Sequence, residues 1–458
     1  MKPSRVEARA GARPRDLPSP GSVWPVTARR SDLRAIERFT LHNGLRVIVA
    51  PDHSSPLVGV AVIYDVGFRS EPKGRSGFAH LFEHLMFQGS ANVAKIEHIG
   101  LVQSAGGVVN GHTLPDLTAY YEALPSGELE LALFLEADRM ATLALTEENL
   151  ANQVAVVKEE IKVNVLNKPY GGFPWITLPA LAFKTYPNAH NGYGDFAHLE
   201  GATLGDAADF RARYYSPGNA VLVVCGDCDP DDVARLAERH FGAIAGQPAP
   251  PHGPYGEGLP KTELRRVIDD PLIPQPAFAL GYRCPDPLHQ LEDYAAYAVL
   301  ANVLSDGDAS RLRQRLVYRD RSVTDVGCIL GSFGSDTFFM RDPVLFQIVV
   351  FHPGTASADE IVAAIDSELE SLAGTGPEPD ELARVAAGLA AGHWSSIDSV
   401  LERTLDLGSV EVIHGRAELV AELPQRLSAI QPEAVASAAA GLLNQHRALL
   451  ELRPEVVR

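Results

Sequence analysis

The fold of this 458-residue chain is organised around one stretch, Ser76-Gly-Phe-Ala-His-Leu-Phe-Glu-His-Leu-Met-Phe-Gln-Gly-Ser90. No residue between its two glycines breaks a helix, and Gly89 is a natural C-terminal stop. At about 100° per residue, His80, Glu83 and His84 share one face of that helix, and the opposite face is apolar. The pattern therefore predicts a buried helix with a single polar stripe.

The polar stripe indicates a metal site. Burying an imidazole and a carboxylate without partners costs several kcal/mol, and a metal ion is a partner that satisfies both. His80 and His84, one turn apart, can each place a ring nitrogen about 2.0–2.1 Å from one zinc ion. Glu83 is then close enough to take a proton from a water on that metal. A solvated charged face is the usual origin of such a pattern, but the residues flanking this one are nearly all apolar.

A second helix is expected to provide the third ligand. Thr146 is a suitable N-cap followed by acidic residues, and the helical pattern runs to Leu166, before Pro169. Two neighbouring carboxylates on this helix, Glu159 and Glu160, compete for the metal. They point about 100° apart, so only one can reach it, and the local pattern does not decide which.

The rest of the chain alternates between strand and helix patterns. Residues 37–50 predict two strands joined at Asn43-Gly44, and residues 58–66 predict a buried strand. A Pro/Gly-rich segment near the middle is the clearest domain boundary. We therefore expect an α+β protein with two similar αβ halves, each a mixed or antiparallel sheet packed with helices. The predicted division is a disordered tail (1–33), a metal-bearing domain (34–246), a Pro/Gly linker (247–260) and a domain without a metal site (261–458).

Composition restricts the classes of function. The net charge of −18 argues against a nucleic-acid binder and is compatible with basic peptide ligands. No apolar run approaches the roughly 20 residues that span a bilayer, so no membrane partner is expected. Four cysteines are too few for a disulfide scaffold. Residues 1–33 contain no secretory signal, and we expect a cytoplasmic protein.

The order His-x-x-Glu-His reverses the commoner zinc-peptidase order and is the inverzincin signature. With this motif the chain resembles the pitrilysin/insulinase family of metallopeptidases, M16, which includes the mitochondrial processing peptidases. Val156-Val-Lys-Glu-Glu160, followed by Asn167-Lys-Pro-Tyr-Gly171, resembles the second motif of that family. The resemblance implies that Glu160, 76 residues after His84, is the third ligand, and that Glu159 is a solvated neighbour.

The resemblance also implies a substrate-binding strand. Residues 105–125 resemble the edge strand that pairs with an extended substrate, with Gly107 and Asn110 as substrate contacts and Asn110 near the metal. A peptide added as an extra strand gains main-chain hydrogen bonds with little demand on its sequence. His112 lies in the same segment, and we interpret it as structural.

Some features of the family are missing. Where some members carry a further Glu two turns before the third ligand, this chain has Gln153. Members often provide an Arg and a Tyr from the second half to stabilise the oxyanion, but the matching positions hold Val317 and Thr324. Arg311 and Tyr318 have the right spacing in the wrong register, and we interpret that match as a coincidence.

Taken together, the resemblance implies a zinc-dependent endopeptidase that hydrolyses short or unfolded peptides inside a chamber. His80, His84 and Glu160 would hold Zn²⁺, and Glu83 would be the catalytic base. The missing oxyanion pair suggests the catalytic subunit of a heterodimer with a homologous zinc-less chain, with a homodimer as the other possible assembly. The alternatives are a dedicated protease for one leader or precursor peptide and a non-catalytic assembly subunit.

Overall fold

A computed structural model describes residues 36–253, 255–332 and 337–455. The tail predicted over residues 1–33 lies outside the described residues. The described residues form two β-sheets, each packed with helices, which confirms the predicted α+β fold with two αβ halves. None of the described helices is both long enough and apolar enough to cross a membrane.

The first sheet has six strands in the order β1-β2-β6-β3-β5-β4. Its β2 and β6 run parallel and the other neighbours are antiparallel, so the sheet is mixed. The hairpin predicted at Asn43-Gly44 is confirmed, and Gly44 has the positive φ of 91° that such a turn requires. The strands are β1 (Glu37–Thr40), β2 (Arg46–Pro51), β3 (Leu57–Tyr64), β4 (Val108–Thr113), β5 (Thr118–Pro125) and β6 (Ala220–Gly226).

Nine α-helices lie in the described chain up to residue 246. The fourth continues into a π-helical turn over Lys162–Leu166. The helices are α1 (Phe78–Leu85), α2 (Glu97–Ser104), α3 (Leu129–Thr142), α4 (Glu147–Ile161), α5 (Thr177–Ala182), α6 (Tyr186–Ala189), α7 (Phe196–Glu200), α8 (Leu204–Tyr214) and α9 (Pro230–Phe241).

The helix that carries the central motif is shorter than predicted. It ends at Leu85, four residues before Gly89. The following backbone tightens, because the amides of Phe87 and Gln88 donate to the carbonyls of His84 and Leu85, three residues back rather than four. The motif residues all lie within the regular part, so the predicted polar stripe is unaffected.

The second sheet has five strands in the order β7-β11-β8-β10-β9, with β7 and β11 parallel. A π-helical turn spans Arg313–Arg319. The strands are β7 (Leu264–Asp270), β8 (Ala277–Arg283), β9 (Asp325–Leu330), β10 (Leu345–Phe351) and β11 (Ala448–Pro454). The helices are α10 (Leu291–Ser305), α11 (Ala358–Thr375), α12 (Pro379–Ile397), α13 (Val400–His414), α14 (Leu419–Ser428) and α15 (Pro432–Leu443).

The two halves exchange helices. Helix α13, late in the chain, covers the first sheet, where its apolar residues share a core with Ile63 and Val223. Helix α5, early in the chain, packs on the second sheet, where Leu178 lies against Gly281. Each sheet therefore depends on a helix from the other half for part of its core. The division at residues 247–260 stays a prediction.

Buried ion pairs also join the halves. The Arg69 guanidinium contacts the Asp116 carboxylate at 2.9 Å and donates to the carbonyl of Arg341 at 2.8 Å. Arg341 in turn contacts Asp65 at 2.9 Å. Breaking any of these contacts would leave an uncompensated buried charge, so together they fix the position of the two halves.

Candidate metal centre

Three donor atoms converge where α1 meets α4. The Nε2 atoms of His80 and His84 are 3.3 Å apart. The Oε2 atom of Glu160 lies 3.5 Å from Nε2 of His80 and 3.3 Å from Nε2 of His84. The structure thus brings together the three side chains that the sequence predicted as ligands.

These spacings fit a zinc ion. Ligand bonds of about 2.0–2.1 Å in a tetrahedral arrangement separate the donor atoms by roughly 3.3–3.4 Å. Two unprotonated imidazole nitrogens that face each other repel, and a cation between them removes that repulsion. The donor set of two imidazoles and one carboxylate leaves one tetrahedral position free, which is the pattern of a catalytic zinc site.

Apolar packing fixes the two helices that carry the donors. Phe78, Leu81, Phe82 and Leu85 of α1 are buried in the core beneath the first sheet, so the remaining face presents the histidines. Helix α4 buries residues spaced three or four apart, which is the helical repeat, and Glu160 lies beside this buried stripe. The buried residues of α4 are Asn149, Leu150, Gln153, Val157 and Ile161.

A buried carboxylate fixes the start of α1. Glu71 accepts hydrogen bonds from the backbone amides of Gly77 and Ala79, both at 2.8 Å, and from the His190 ring at 3.0 Å. These amides belong to the first turn, where backbone donors lack helical partners. Gly77 has a φ of 90°, which a side chain would strain, so the glycine is required for the chain to enter the helix here.

The electrostatics of the three side chains are coupled. Burial lowers the pKa of His80 to about 4, and the neighbouring His84 lowers it further. Burial also opposes protonation of His84, but the hydrogen bond and charge of Glu160 outweigh it and raise the His84 pKa. The hydrogen bond from His84 lowers the pKa of Glu160. At neutral pH the carboxylate is therefore ionised and His80 is neutral, as metal ligation requires.

Two further side chains orient the ligands. Gln153, buried on α4, hydrogen-bonds His84. Tyr193 hydrogen-bonds the Glu160 carboxylate, and its ring lies 5.1 Å from the His80 ring. Gln153 could be singled out from the sequence, because it lies two helical turns before Glu160. The sequence contained no local signal for Tyr193, which comes from a loop after α6.

Glu83 has a partner of its own. Its Oε2 atom accepts a hydrogen bond of 2.6 Å from the hydroxyl of Thr113 at the end of β4. Burial raises the Glu83 pKa, and the Thr113 hydrogen bond opposes that rise. Gly111 lies on the same side of β4, where an added Cβ would be 3.3 Å from Cγ of Glu83. The sequence did not predict a role for Thr113 or Gly111.

Glu159 and the two predicted substrate contacts lie outside this cluster. Glu159 is exposed and pairs with Lys162 at 2.9 Å, so the expectation of a solvated neighbour is confirmed. Asn110 is exposed on β4. A Cβ at Gly107 would lie 2.8 Å from the carbonyl oxygen of Ala123, so close packing already accounts for that glycine. Contact of Asn110 and Gly107 with substrate stays a prediction.

The centre opens into a cavity of about 290 Å³ between the two sheets. Both halves contribute to the walls. The first half contributes His80, Glu83, Glu160, Trp175 and Tyr193, among others. The second half contributes Gly331, Ser332, Met340, Pro343, Val344, Leu345 and Gln347. Among the described residues, the second half thus lines this cavity with neither Arg nor Tyr.

The stretch in which the family would carry its oxyanion-stabilising Arg and Tyr does not line the cavity. Thr324 donates to the carbonyl of Phe351 and accepts from Gln275, and Val317 packs against the core of the second half. Arg311 forms a bidentate pair with Glu381. Tyr318 is exposed and hydrogen-bonds a carboxylate on the surface. None of these four residues lines the cavity.

The fold and the centre together define a class of two-halved α+β proteins in which a His-x-x-Glu-His helix faces a cavity between the sheets. Family models match both parts of the chain: "Insulinase (Peptidase family M16)" over residues 46–172 and "Peptidase M16 inactive domain" over residues 201–389. The chain therefore belongs to peptidase family M16.

Relatives agree with this assignment. A zinc protease from Helicobacter pylori, PqqE, is 29% identical over 79% of this chain and 80% of its own length. The mitochondrial-processing peptidase subunit beta of Lentinula edodes is 22% identical over 86% of this chain and 84% of its own. A crystal structure of a protease from Helicobacter pylori, 25% identical, superposes with a TM-score of 0.83 over 92% of this chain and 99% of that one.

Proposed function

We propose that this chain is a zinc-dependent endopeptidase and that its site is catalytic. The observation that carries the proposal is the spacing of 3.3–3.5 Å among the donor atoms of His80, His84 and Glu160, with the Glu83 carboxylate in the same cavity. Relatives named zinc protease support it.

A zinc ion held by these three residues would lower the pKa of a water and polarise the carbonyl of the substrate. Glu83 acts as the general base: its carboxylate takes a proton from the attacking water and passes it to the departing amine. Thr113 holds that carboxylate by a 2.6 Å hydrogen bond, which limits its rotation. Burial of Glu83 raises its pKa above that of a free carboxyl group, which is the direction that strengthens a general base.

The substrates are proposed to be short or unfolded peptides. The cavity lies between the two sheets and is walled by both halves, so a folded domain does not fit inside it. The strand β4 is the edge of the first sheet and borders the centre through Gly111 and Thr113. An extended peptide can pair with this edge and bring a backbone carbonyl to the metal.

We further propose that the chain works as the catalytic subunit of a heterodimer with a homologous zinc-less chain. Two observations support this: the second-half residues that line the cavity, among those described, include no Arg or Tyr, and one relative is named as a subunit. The partner would provide the cation or hydroxyl that stabilises the oxyanion. Affinity purification from the native organism is expected to recover a homologous chain without His-x-x-Glu-His. Isolation as a fully active homodimer would contradict the heterodimer.

The catalytic role is tested with Glu83→Gln, which preserves the shape of the side chain and removes the base. Cleavage of quenched fluorescent peptides should fall by about 10²–10⁴-fold with bound zinc unchanged. Glu159→Gln is the matched control, because Glu159 is an exposed neighbour of the centre, and it should keep full activity. Chelator should abolish wild-type cleavage, and added zinc should restore it. Full activity of Glu83→Gln would refute the assignment.

A further inference from the structure

A second, larger cavity of about 840 Å³ lies on the opposite face of the first sheet from the metal centre. Its walls come from the end of α10, from α12, α13 and α14, from residues 337–339 and from the edge of the first sheet. Helix α12 presents Gly388 and Gly392 to it, and a Cβ at either glycine would meet no atom within 4 Å. Both glycines are solvent-exposed, so the cavity is open on the α12 side, and no side chain of the described residues fills the space beside them.

One side of this cavity is a polar stripe on α13. Glu402, Asp406 and Ser409 follow one another at helical spacing, and all three line the cavity. Burial raises the pKa of Asp406 to about 7, and the neighbouring Glu402 adds to the rise. Ser409 is 1% exposed, and its hydroxyl has no hydrogen-bond partner among the described residues. A buried hydroxyl without a partner is costly unless a ligand satisfies it.

The cavity has no cation of its own. Among the described residues, its lining contains no Lys or Arg, and a further carboxylate, Asp306, stands at its rim. Burial lowers the pKa of His112 to about 4 and also lowers that of His393, so both rings are neutral at physiological pH. The other ionisable groups of the lining are carboxyls and Tyr121, so a positively charged group complements the site.

The edge strand β4 connects this cavity to the metal centre. Gly111 and Thr113 face Glu83, and His112, between them, borders both the metal-centre cavity and the second cavity. Tyr121, which pairs with Asn110, also lines it. Successive side chains of a strand point to opposite faces, and a strand added to an edge continues the same pleat. A peptide paired with β4 thus directs every second side chain to the metal face and the intervening ones to the second cavity.

We propose that this cavity is a subsite for a lysine or arginine side chain of the peptide substrate, with Asp406 and Glu402 as its anionic partners and Ser409 as a hydrogen-bonding group. The inference rests on the proposed peptidase function, because it uses the same edge strand to hold the substrate. Such a subsite would recognise the basic residue at alternate positions of the substrate, on the face away from the metal.

The test is a lysine scan in a short neutral quenched peptide, cleaved by the zinc-loaded full chain. Norleucine replaces lysine at each position as a neutral control. We expect lysine to raise kcat/KM by about 10- to 100-fold over norleucine at positions two residues apart and not at those between them. Asp406→Asn should remove this preference. Asp398→Asn, an exposed carboxylate that does not line the cavity, should retain the preference.

A second variant tests whether the open volume of the cavity is needed, instead of its carboxylates. Gly392→Leu places a side chain in the open cavity without a clash and should also abolish the lysine preference. Equal cleavage of lysine and norleucine peptides by the wild type, or a preference that survives Asp406→Asn, would overturn the subsite and leave the peptidase function standing.

Binding measurements separate the two proposals if no peptide is cleaved. Fluorescence anisotropy of the same labelled peptides then gives their dissociation constants. An Asp406-dependent preference for lysine in binding would keep the subsite and contradict the peptidase function. Absence of binding by every peptide would contradict both.

Discussion

At the scale of single residues, the most informative contact is the one between Thr113 and Glu83. The two residues are 30 positions apart and belong to a strand and a helix, yet their side-chain oxygens are 2.6 Å apart. The hydrogen bond couples the position of the proposed base to the edge strand that would hold the substrate. Glu83 is thereby oriented without a second charged group, since a threonine hydroxyl adds no charge to the site.

Thr113→Val removes that donor while keeping the size and branching of the side chain. We expect kcat to fall by about 10- to 100-fold, because a displaced base costs rate even where the fold is intact. Zinc content should not change. Thr113→Ser keeps the hydroxyl and should retain most of the activity, measured on the same peptide. Equal activity of the valine variant and the wild type would show that Glu83 needs no orienting donor.

At the scale of secondary-structure elements, the placement of α13 on the first sheet determines how the molecule is assembled. Gly59 of β3 is the point of closest approach. A Cβ there would lie 2.2 Å from Oγ1 of Thr404 and 3.1 Å from the carbonyl oxygen of Val400. Thr404 cannot move aside freely, because its hydroxyl donates to that carbonyl at 2.6 Å.

Gly59→Ala is therefore expected to push α13 away from the sheet and destabilise the protein by about 1–3 kcal/mol, through overpacking. The matched control is Gly327→Ala, a strand glycine of β9 whose added Cβ would meet nothing within 4 Å. It should be neutral or stabilising by up to about 1 kcal/mol. Urea unfolding of both variants provides the comparison, and similar midpoints for the two would contradict the tight packing of α13.

The elements also show what a sequence can and cannot predict. Helix α1, its polar stripe and the β1–β2 hairpin were predictable because each depends on local periodicity and turn residues. The choice of Glu160 over Glu159 needed the family register, since both lie on the same helix. Thr113 and Tyr193 could not be predicted, because tertiary folding alone brings them to the centre. The placement of α13 on the first sheet could not be predicted either, because its apolar face would suit either sheet.

At the scale of the whole molecule, contacts between the two halves hold the fold together. The segment that connects the halves contributes to these contacts. Glu257 accepts hydrogen bonds from the backbone amides of Lys184 and Thr185, at 3.0 and 2.9 Å, and from the Asn188 amide at 3.0 Å. Asn188 lines the metal-centre cavity. The connecting segment thus ties the wall of the cavity to the body of the protein.

The Glu257 contacts predict that the stability of the protein depends on pH. Burial works against ionisation, but the hydrogen bonds from Thr185 and Asn188 outweigh it and lower the Glu257 pKa from 4.5 to about 2. A carboxyl group with a lowered pKa contributes stability above its unfolded-state pKa and loses it as the pH falls towards the folded value.

Glu257→Gln should therefore be less stable than the wild type at neutral pH, and the difference should shrink below about pH 4.5. Urea midpoints at several pH values give that difference, in which all other titrating groups cancel. A difference independent of pH would contradict the assignment.

Whether three side chains from α1 and α4 hold one zinc ion is tested by comparing two adjacent carboxylates, Glu160 and Glu159. Zinc bound per chain is measured after equilibrium dialysis for the wild type, Glu160→Gln and Glu159→Gln. We predict one zinc per chain for the wild type and for Glu159→Gln, and loss of tight binding in Glu160→Gln. Equal zinc binding by all three proteins, or loss only in Glu159→Gln, would contradict the claim.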